Sequence, residues 1–577
     1  MDFLRLWQLL LSATRDPYCG DLICLFDGLD ECRQSDRDQL IQELERLYTT
    51  FGARQRTKSK IKIFVTSRPY GDIEWGFGRL TSRYPTIRLA ADDEWKTISE
   101  EIIVVMEAKV DEIAEKRRLS NEIRRALKRR FTEISNRTYL WLHLTLDALK
   151  HSLGLTQKKL LRRIDELPES VEQAYEAILE RCNRRNWQDT TRLLNIIVAS
   201  QWPLSLSEID VALEVGPNSR SLGNLDLEGP SKRKQWIRDA CGLFVSIIDS
   251  HVYLIHQTAR EFLLRHTNER AVLGRWRHSI NLQDAHLTLS KVCIAYLILA
   301  GFQMENRQVL EEYCPAKAFL RYSAQNWIYH TQEANITEEN WIRKAAELCA
   351  AGDRFSLFWV GCNAYDTFWE PGIHRRSTSL IWATRWGLIP VIQHLLEQTT
   401  AEVEITEAVI KTAAGNTQSG DAVMKLLLDR GGTEIKITNA VVKAAAENTQ
   451  RGDVVMNLLL DRRGEDINIT QEVVAATATN WNKGEAVMRI LLERKGADIK
   501  ITEFVLTTVV RNWRRGGEAV IKLLLDQREV DVEISKAVIA TAAGDWGEGE
   551  AMMKLLLDRG KVDVEVTKAV IATAAAN

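Results

Sequence analysis

Short apolar runs and one helical stripe alternate near the start of the chain. A run from Leu22 to Phe26 ends in an acidic cluster, and a second run covers Lys62–Thr66. Between them, Ser35 can cap a helix whose apolar residues recur at three- and four-residue steps, namely Leu40, Ile41, Leu44, Leu47 and Tyr48. A shorter candidate strand covers Thr86–Leu89. The order strand, helix, strand predicts buried strands in a parallel sheet.

The next segment is patterned as helix. From Asp92 to about Glu180, Gly and Pro are nearly absent, and eight Lys or Arg residues fall between Lys116 and Arg130. We interpret this basic stretch as the solvated face of a long helix with Ile123 and Leu127 turned inward. The alternative is a local contact with nucleic acid or lipid.

Residues 188–267 combine helices with a hairpin. A Trp-Pro-Leu break separates two helices, and Ser205 and Glu208 have the spacing of a capping box. Two short apolar runs flank Asp249-Ser250, and a helix begins at about Gln257. This order predicts a winged helix. The basic segment Ser231–Arg238 reads as a local turn, and no recognition helix rich in Arg, Asn and Gln accompanies it, so we expect no binding to nucleic acid.

The last third of the chain repeats. A Thr or Ser recurs at steps of 32 or 33 residues, at Thr406, Thr438, Thr470, Thr502, Ser535 and Thr567. We expect this residue to cap the first of two helices, which Asn416–Gly420 separates from the second in the first copy. One such hairpin buries too little apolar surface to be stable alone, so the copies must stack as a solenoid. Trp481, Trp513 and Trp546 follow the first helices and are expected to cover the edge of the stack, and the alternative is that they face a partner.

Length and composition favour several mainly helical domains. A chain of 577 residues predicts about four domains. Only ten prolines occur, and prolines interrupt helices. Lys and Arg total 77 against 79 Asp and Glu, so no overall field attracts the molecule to nucleic acid or anionic lipid.

The cysteines and the apolar runs indicate in which cellular compartment the protein is found. The nine cysteines form no C-x-x-C pair and no zinc-type spacing with histidine, which indicates reduced thiols inside a cell. The first twelve residues are interrupted by Asp2, Arg5 and Gln8, which favours an amphipathic helix over a signal peptide. No apolar run reaches the length of about 18 residues that a membrane span needs. We therefore expect a cytoplasmic protein without a membrane span.

Charged side chains gather where the two predicted strands end. Asp27, Asp30 and Glu31 follow the first strand, and Arg68 follows the second. Ligands of parallel sheets bind at the carboxyl ends of the strands. There Asp27 can hold a hard divalent ion, Glu31 can orient water, and Arg68 can sense a terminal phosphate. The alternative is two core strands with ordinary solvated ends.

The sequence around these strands resembles that of a known ATPase family. The stretch LICLFDGLDEC resembles the Walker B segment of NACHT-type ATPases, and IKIFVTSRP resembles their sensor segment, especially in fungal NOD-like proteins with a nephrocystin-like N-terminal domain. The resemblance implies that Asp27 holds Mg²⁺ through water and that Asp30 and Glu31 are the catalytic acidic pair. It also implies that Arg68 reads the γ-phosphate of ATP.

One element of that family is missing from the sequence. The phosphate-binding pattern G-x-x-x-x-G-K-[ST] does not occur, and the only Gly-Lys pair is Gly560-Lys561. Backbone N–H groups and a lysine of that loop provide most of the phosphate affinity. We therefore expect no independent hydrolysis of ATP and at most weak binding of ATP or ADP with Mg²⁺.

The resemblance continues beyond the sheet. Arg137–Leu149 and Leu167–Leu179 resemble the helical subdomain of fungal NACHT proteins, although Asn136-Arg137-Thr138 replaces their usual Gly-Pro or Asn-Pro. The winged-helix segment resembles the one named after GPI inositol-deacylase, and there His256 corresponds to the histidine that contacts the β-phosphate of ADP. Thr378–Gln398 resembles an ankyrin repeat, and the later copies are ankyrin-like.

We expect a multidomain, mainly α protein built from five segments. They are a partial P-loop NTPase α/β sheet (1–91), a helical subdomain (92–187), a winged helix (188–270), a helical connector (271–362) and an ankyrin-like α-solenoid (363–577). The resemblance places the phosphate loop before residue 1, and the repeats stop at Asn577 after a first helix. We therefore expect a chain that is incomplete at both ends.

Three functions follow as hypotheses. The first is a NOD-like sensing protein that binds protein partners through its repeats, retains a residual nucleotide switch and can form homo-oligomers, as the resemblance implies. The second is a repeat scaffold that works without nucleotide. The third is an active NTPase, if the missing loop is supplied upstream.

Overall fold

The computed structural model describes most of the chain. Its residues divide into two compact units: Met1–Glu214, Asp226–Ala285 and Asn363–Trp369 in the first, and Val215–Leu225, His286–Cys362 and Glu370–Asn577 in the second. The described residues are 3–13, 20, 22–32, 34–52, 61–68, 70–83, 87, 95–134, 138–150, 157–182, 187–216, 219–220, 222–265, 275–300, 318–350, 378–398, 404–432, 435–496, 499–513, 517–526, 535–543 and 554–556.

The first unit begins with a small α/β element. Its helices and strands are α1 (Phe3–Ala13), β1 (Leu22–Phe26), α2 (Gln34–Gly52), β2 (Ile61–Val65) and α3 (Gly71–Arg83). The two strands pair in parallel, with Leu22 opposite Ile61 and Phe26 opposite Val65. The predicted order strand, helix, strand is therefore confirmed. The core between sheet and helices contains Trp7, Leu29, Leu40, Ile41, Leu44, Leu47, Ile73 and Leu80.

Two details of this element differ from the sequence prediction. The strands are not buried on both faces, because Ile23, Leu25 and Phe64 are 72%, 64% and 51% exposed. The described helices cover only the opposite face of the sheet. Helix α2 begins at Gln34, so Ser35 lies inside the helix and is not its cap. Apart from the exposed Ile87, the predicted strand Thr86–Leu89 lies outside the described residues.

Five helices follow in the first unit: α4 (Trp95–Arg117), α5 (Asn121–Glu133), α6 (Tyr139–Lys150), α7 (Gln157–Asp165) and α8 (Val171–Cys182). The basic stretch is divided between α4 and α5, because the chain turns at Arg118, where φ is 50°. Ile123 and Leu127 face the core as predicted. Asp111 on α4 accepts hydrogen bonds from Arg124 and Lys128, which lower the pKa of its carboxyl to about 2. Part of the basic face is thus neutralised within the unit.

The rest of the first unit has the order predicted for a winged helix. Its elements are α9 (Trp187–Ala199), α10 (Leu206–Glu214), α11 (Pro230–Cys241), β3 (Val245–Ile248), β4 (His251–Leu254) and α12 (Gln257–Leu263). The capping box is present, because Ser205 and Glu208 each accept a hydrogen bond from the backbone of the other. The hairpin β3–β4 is antiparallel, and its turn residues Asp249 and Ser250 have φ of 47° and 62°.

The basic segment Ser231–Arg238 is helical. It lies within α11, so the predicted turn is wrong. Pro230 at the first helical position supports this start, because proline favours that place. Arg233 is only 5% exposed and pairs with the buried Asp210 of α10. Arg233 of this basic segment is therefore a core residue, and its charge is not exposed to solvent.

A helical connector contains α13 (Leu282–Ala300), α14 (Leu320–Ala334) and α15 (Glu339–Ala350). In the second unit, two buried histidines meet: Nδ1 of His286 lies 2.9 Å from Nδ1 of His330, whose Nε2 lies 2.8 Å from the Tyr322 hydroxyl. Burial, and then the neighbouring His286, lower the pKa of His330 to about 3. His330 is therefore held neutral.

This pair predicts acid-sensitive stability. Unfolded histidine titrates near pH 6.5, so the contribution of neutral His330 is complete above about that pH and is lost as the pH falls toward about 3. From about pH 7 to about pH 5.5, we expect a loss of about 1 kcal/mol. Thermal unfolding as a function of pH should show a smaller loss in His330→Gln. The matched change His143→Gln, at an exposed histidine, should leave the pH dependence as it is in the original chain.

The second unit continues with helical hairpins. A leading hairpin pairs α16 (Ser379–Arg385) with α17 (Ile389–Glu397). Four further hairpins, numbered first to fourth, pair α18 (Glu407–Gly415) with α19 (Gly420–Gly431), α20 (Asn439–Glu447) with α21 (Gly452–Arg463), α22 (Gln471–Thr479) with α23 (Gly484–Lys495), and α24 (Glu503–Arg511) with α25 (Gly517–Leu525). Helix α26 (Lys536–Ala543) follows them. The apolar residues of α18, Val409, Ile410, Ala413 and Ala414, are buried.

The predicted threonine caps have a different role in most copies. Thr406, Thr438 and Thr470 occupy the N-cap position but form no side-chain capping bond. The hydroxyls of Thr438 and Thr470 instead donate to Glu407 and Asn439 of the preceding hairpin. Thr502 both caps its helix and bonds to the preceding hairpin. These residues therefore connect successive hairpins.

The tryptophans after the first helices differ in exposure. Trp513 is 5% exposed, which agrees with the predicted covering role, whereas Trp481 is 40% exposed. Trp546 and Thr567 lie outside the described residues. Within the residues that the structure describes, no helix combines the length and apolar character needed to cross a membrane.

Candidate functional site at the strand ends

A tight turn after β1 joins the ends of the two strands. Gly28 has φ 66° and ψ 46°, a left-handed conformation that glycine adopts without strain. Its N–H donates to the Thr66 hydroxyl at 2.8 Å, and that hydroxyl donates to the Asp27 carboxylate. The backbone N–H of Leu29 also donates to the Thr66 carbonyl, at 2.9 Å. The turn thus fixes Asp27 beside the end of β2.

Asp30 and Arg68 meet as predicted. The backbone N–H of Arg68 donates to Oδ1 of Asp30 at 3.1 Å, and Nε of Arg68 lies 3.5 Å from Oδ2. Nη1 of Arg68 also donates to the Tyr70 hydroxyl at 3.2 Å and to Glu261 of α12 at 2.7 Å. Partial burial disfavours the charged guanidinium, but the Tyr70 and Glu261 contacts outweigh it and raise the pKa of Arg68. Arg68 therefore connects the sheet to the winged-helix segment.

Glu31 and His256 line one cleft. The cleft has a volume of about 480 Å³, and its walls include Trp202, Tyr253 and Arg260. His256 is the N-cap of α12, where its Nδ1 accepts the Thr258 N–H at 3.2 Å. Thus Asp30 is joined to Arg68, Glu31 shares a cleft with His256, and Asp27 stands beside Thr66.

The residues present suit a magnesium ion that is shared with a ligand. Asp27 is exposed, and one of its oxygens already accepts the Thr66 hydroxyl. Mg²⁺ keeps several waters and binds one or two carboxylates together with substrate phosphates. No group of three or more His, Cys, Asp or Glu side chains suited to a metal is present among the described residues. Asp27 therefore fits a phosphate-bridged ion and not an all-protein cage.

Sequence reasoning missed three contributors to this site. Thr66 was assigned only to the end of a strand, yet its hydroxyl orients Asp27 and the Gly28 turn. Glu261 lies 193 residues from Arg68 in sequence and carries no local motif. Tyr175 of α8 bonds to the Thr258 hydroxyl at 2.9 Å beside His256. Only the position of Thr66, directly before the Ser-Arg pair, offered a signal.

The fold and this site define a mainly helical protein with a short parallel sheet that ends in an acidic cluster and an arginine. Family models match four parts of the chain. They are "Nephrocystin 3, N-terminal" at residues 1–68, "Domain of unknown function (DUF7069)" at 98–167, "GPI inositol-deacylase, winged helix domain" at 178–272, and six copies of "Domain of unknown function (DUF7104)" at 395–424, 426–456, 458–488, 490–519, 523–553 and 555–577.

Two curated proteins are similar to the chain. The vegetative incompatibility protein HET-E-1 of Podospora anserina is 24% identical over 360 residues, which are 58% of this chain and 25% of that protein. The azaphilone pigments biosynthesis cluster protein L of Monascus ruber is 23% identical over 197 residues, 32% of this chain and 40% of that protein. The chain thus spans a quarter to two fifths of these relatives. No solved structure matches. Together, the nephrocystin and winged-helix matches and HET-E-1 support a NACHT-like protein of fungal type.

Proposed function

We propose that this chain is a NOD-like signalling protein with a residual nucleotide-responsive core and protein-binding repeats. The observation that carries the proposal is the bond between Arg68 at the sheet and Glu261 in the winged-helix segment. The Arg68 guanidinium at the strand end is bound by a carboxylate. A phosphate can replace that carboxylate as its partner, because guanidinium binds both anions in the same way. The similarity to HET-E-1 supports a signalling role over a metabolic one.

Each of the strand-end residues has its own role in such a core. Asp27 would hold Mg²⁺ beside the phosphates, Arg68 would bind a terminal phosphate, and His256 would face the nucleotide from the winged-helix segment. The ion, when bound, neutralises phosphate charge. Asp30 positions Arg68 through its backbone and side chain, and Glu31 lies where it can orient water. We propose that the chain is not itself an active enzyme, because its sequence contains no phosphate-binding loop.

Calorimetry with ATP and ADP in the presence of Mg²⁺ tests these roles. We expect weak binding, since most phosphate affinity comes from the loop that the sequence lacks. No measurable heat with either nucleotide would instead favour a scaffold that works without nucleotide. Measurable hydrolysis that Asp27→Ala abolishes would instead show an active NTPase. Val104→Ala, at an exposed residue of α4 far from this chemistry in sequence, serves as the control for general effects.

The repeats support the binding part of the proposal. Successive hairpins are connected by hydrogen bonds at the ends of their first helices, as in Thr438 to Glu407 and Asn448 to Ala414. We propose that they form an ankyrin-like solenoid whose exposed residues contact protein partners, as stacked repeats commonly do. A second candidate is a scaffold that acts without nucleotide. The DUF7104 copies alone would then capture the same partners as the full chain in a pull-down experiment, with or without ATP.

A further inference from the structure

Buried asparagines connect the first three hairpins to the hairpin before each of them. Nδ2 of Asn448 donates to the carbonyls of Ala414 and Asn416, both at 2.9 Å. Nδ2 of Asn480 donates to Ala446 at 2.8 Å and to Asn448 at 2.9 Å. Asn416 makes the equivalent pair of bonds to the leading hairpin. We call these three residues the asparagine ladder.

The fourth hairpin departs from this arrangement. Asn512 occupies the same place after the first helix, but its Nδ2 donates to the Thr508 carbonyl of its own helix at 2.9 Å. The segment from Asn512 to Gly517 is one residue longer than the segment from Asn480 to Gly484. The longer connection and the changed hydrogen bond occur at the same hairpin. The asparagine ladder therefore ends at the third hairpin.

A second set of contacts ends at the same interface. Near the ends of the second helices, Arg430 pairs with Glu397 at 3.2 Å and Arg462 pairs with Asp429 at 3.0 Å. Arg494 of the third hairpin pairs with Asp461 in the same way. The next position in the repeat is Gln527, which carries no charge to pair with Glu493. Gln527 lies outside the described residues, and its sequence position therefore cannot supply the arginine of this ion-pair series.

Two kinds of contact are present between the described residues of the third and fourth hairpins. The Thr502 hydroxyl donates to Gln471 at 3.0 Å, and the inward residues of α24, such as Val505 and Val509, are fully buried. Apolar packing is strong but non-directional, whereas the buried amide bonds fix one position of a hairpin against the next. Among the described residues, the interface therefore keeps its apolar packing and lacks the asparagine bonds that fix the earlier hairpins.

We propose that the interface between the third and fourth hairpins is a joint at which the array opens. The helices from Glu503 onward separate as one unit while the first three hairpins stay stacked. Stacked repeats open by nearest-neighbour steps, so the weakest interface determines where opening occurs. Ordinary fraying at the end of an array predicts a gradual change along the hairpins. A joint predicts a step between α23 and α24.

Hydrogen exchange of the full chain, measured by mass spectrometry, distinguishes a joint from ordinary fraying. We expect amides of α24 and α25 to exchange about tenfold faster, or more, than those of α22 and α23, with little change among the earlier hairpins. Asn480→Ala should move the step one hairpin earlier, to between α21 and α22. Asn512→Ala should leave it in place, because the hydrogen bond that its amide donates to a described residue lies within its own helix.

A repaired chain provides the converse test. Residues 513–516 are replaced by the Trp-Asn-Lys of the third hairpin, and Gln527→Arg restores the cation. We expect the step to shrink by about tenfold, since both sets of contacts can then form. An unchanged step in the folded repaired chain, or an equal effect of Asn480→Ala and Asn512→Ala, would overturn the proposal. If the repaired chain does not fold, the two asparagine variants decide alone.

Discussion

Replacing Asp210 with alanine is expected to destabilise the winged-helix segment by about 3–5 kcal/mol. Asp210 is 3% exposed, and its oxygens lie 2.8 Å from Nε and 2.7 Å from Nη2 of Arg233. They also accept the N–H of Gly229 at 2.8 Å, directly before α11. The truncation would leave Arg233 as a buried charge whose remaining ion-pair partner among the described residues is Glu214, at 3.3 Å. A buried charge without its main partner accounts for the size of the effect.

Hydrogen exchange of α11 measures this loss where it occurs. Asp226→Ala is the matched control, because Asp226 is exposed and should change the exchange rates little. The double change Asp210→Leu with Arg233→Met should recover part of the loss, since it removes both charges together. If the amides of α11 exchange at the same rate in Asp210→Ala as in the original chain, the Asp210–Arg233 pair does not stabilise this segment.

The sequence predicted the local elements of the first unit well. Strand β1 and the acidic turn are encoded in neighbouring residues, and the spacing of Leu40, Leu44 and Leu47 is enough to give one face of α2. The burial of the strands was not predictable, because the exposure of Ile23 depends on what covers the second face of the sheet. Local pattern fixes the element, whereas tertiary packing fixes its environment.

The candidate site was only half predictable for a similar reason. Asp27, Asp30 and Arg68 follow strands, and strand ends of a parallel sheet meet at one edge, so their proximity follows from topology. Glu261 and Tyr175 reach the site through packing of the winged-helix segment and α8, which no periodicity reports. The same dependence on tertiary packing applies to α11. Its basic residues indicate a turn, whereas Pro230 and the buried partner of Arg233 favour a helix.

The repeats show how a correct period can carry a wrong detail. The 32-residue spacing of threonine predicted the hairpins, yet the hydroxyls of Thr438 and Thr470 bond to the preceding hairpin and do not cap their helices. Asn416 was interpreted only as a helix breaker. A buried asparagine recurring at that same spacing, at Asn448 and Asn480, was the available signal for contacts between copies.

Replacing Asn448 with alanine is expected to destabilise the array by about 2–4 kcal/mol, the second large effect. Its side-chain Nδ2 donates to the carbonyls of Ala414 and Asn416. Its side-chain Oδ1 accepts the N–H groups of Gln450 at 3.1 Å and Arg451 at 2.9 Å. The change therefore removes four hydrogen bonds at a side chain that is 3% exposed. Buried carbonyls left without a partner account for most of the loss.

The same chemical change on the surface isolates this effect. Asn457 lies on the exposed face of α21, and Asn457→Ala should change stability by no more than about 0.5 kcal/mol. Thermal unfolding gives the overall loss, and hydrogen exchange should show it concentrated in α18–α21, because each repeat contacts only its neighbours. Equal losses in the two variants would mean that the first and second hairpins are held together by apolar packing alone. The asparagine ladder would then have no part in fixing their positions.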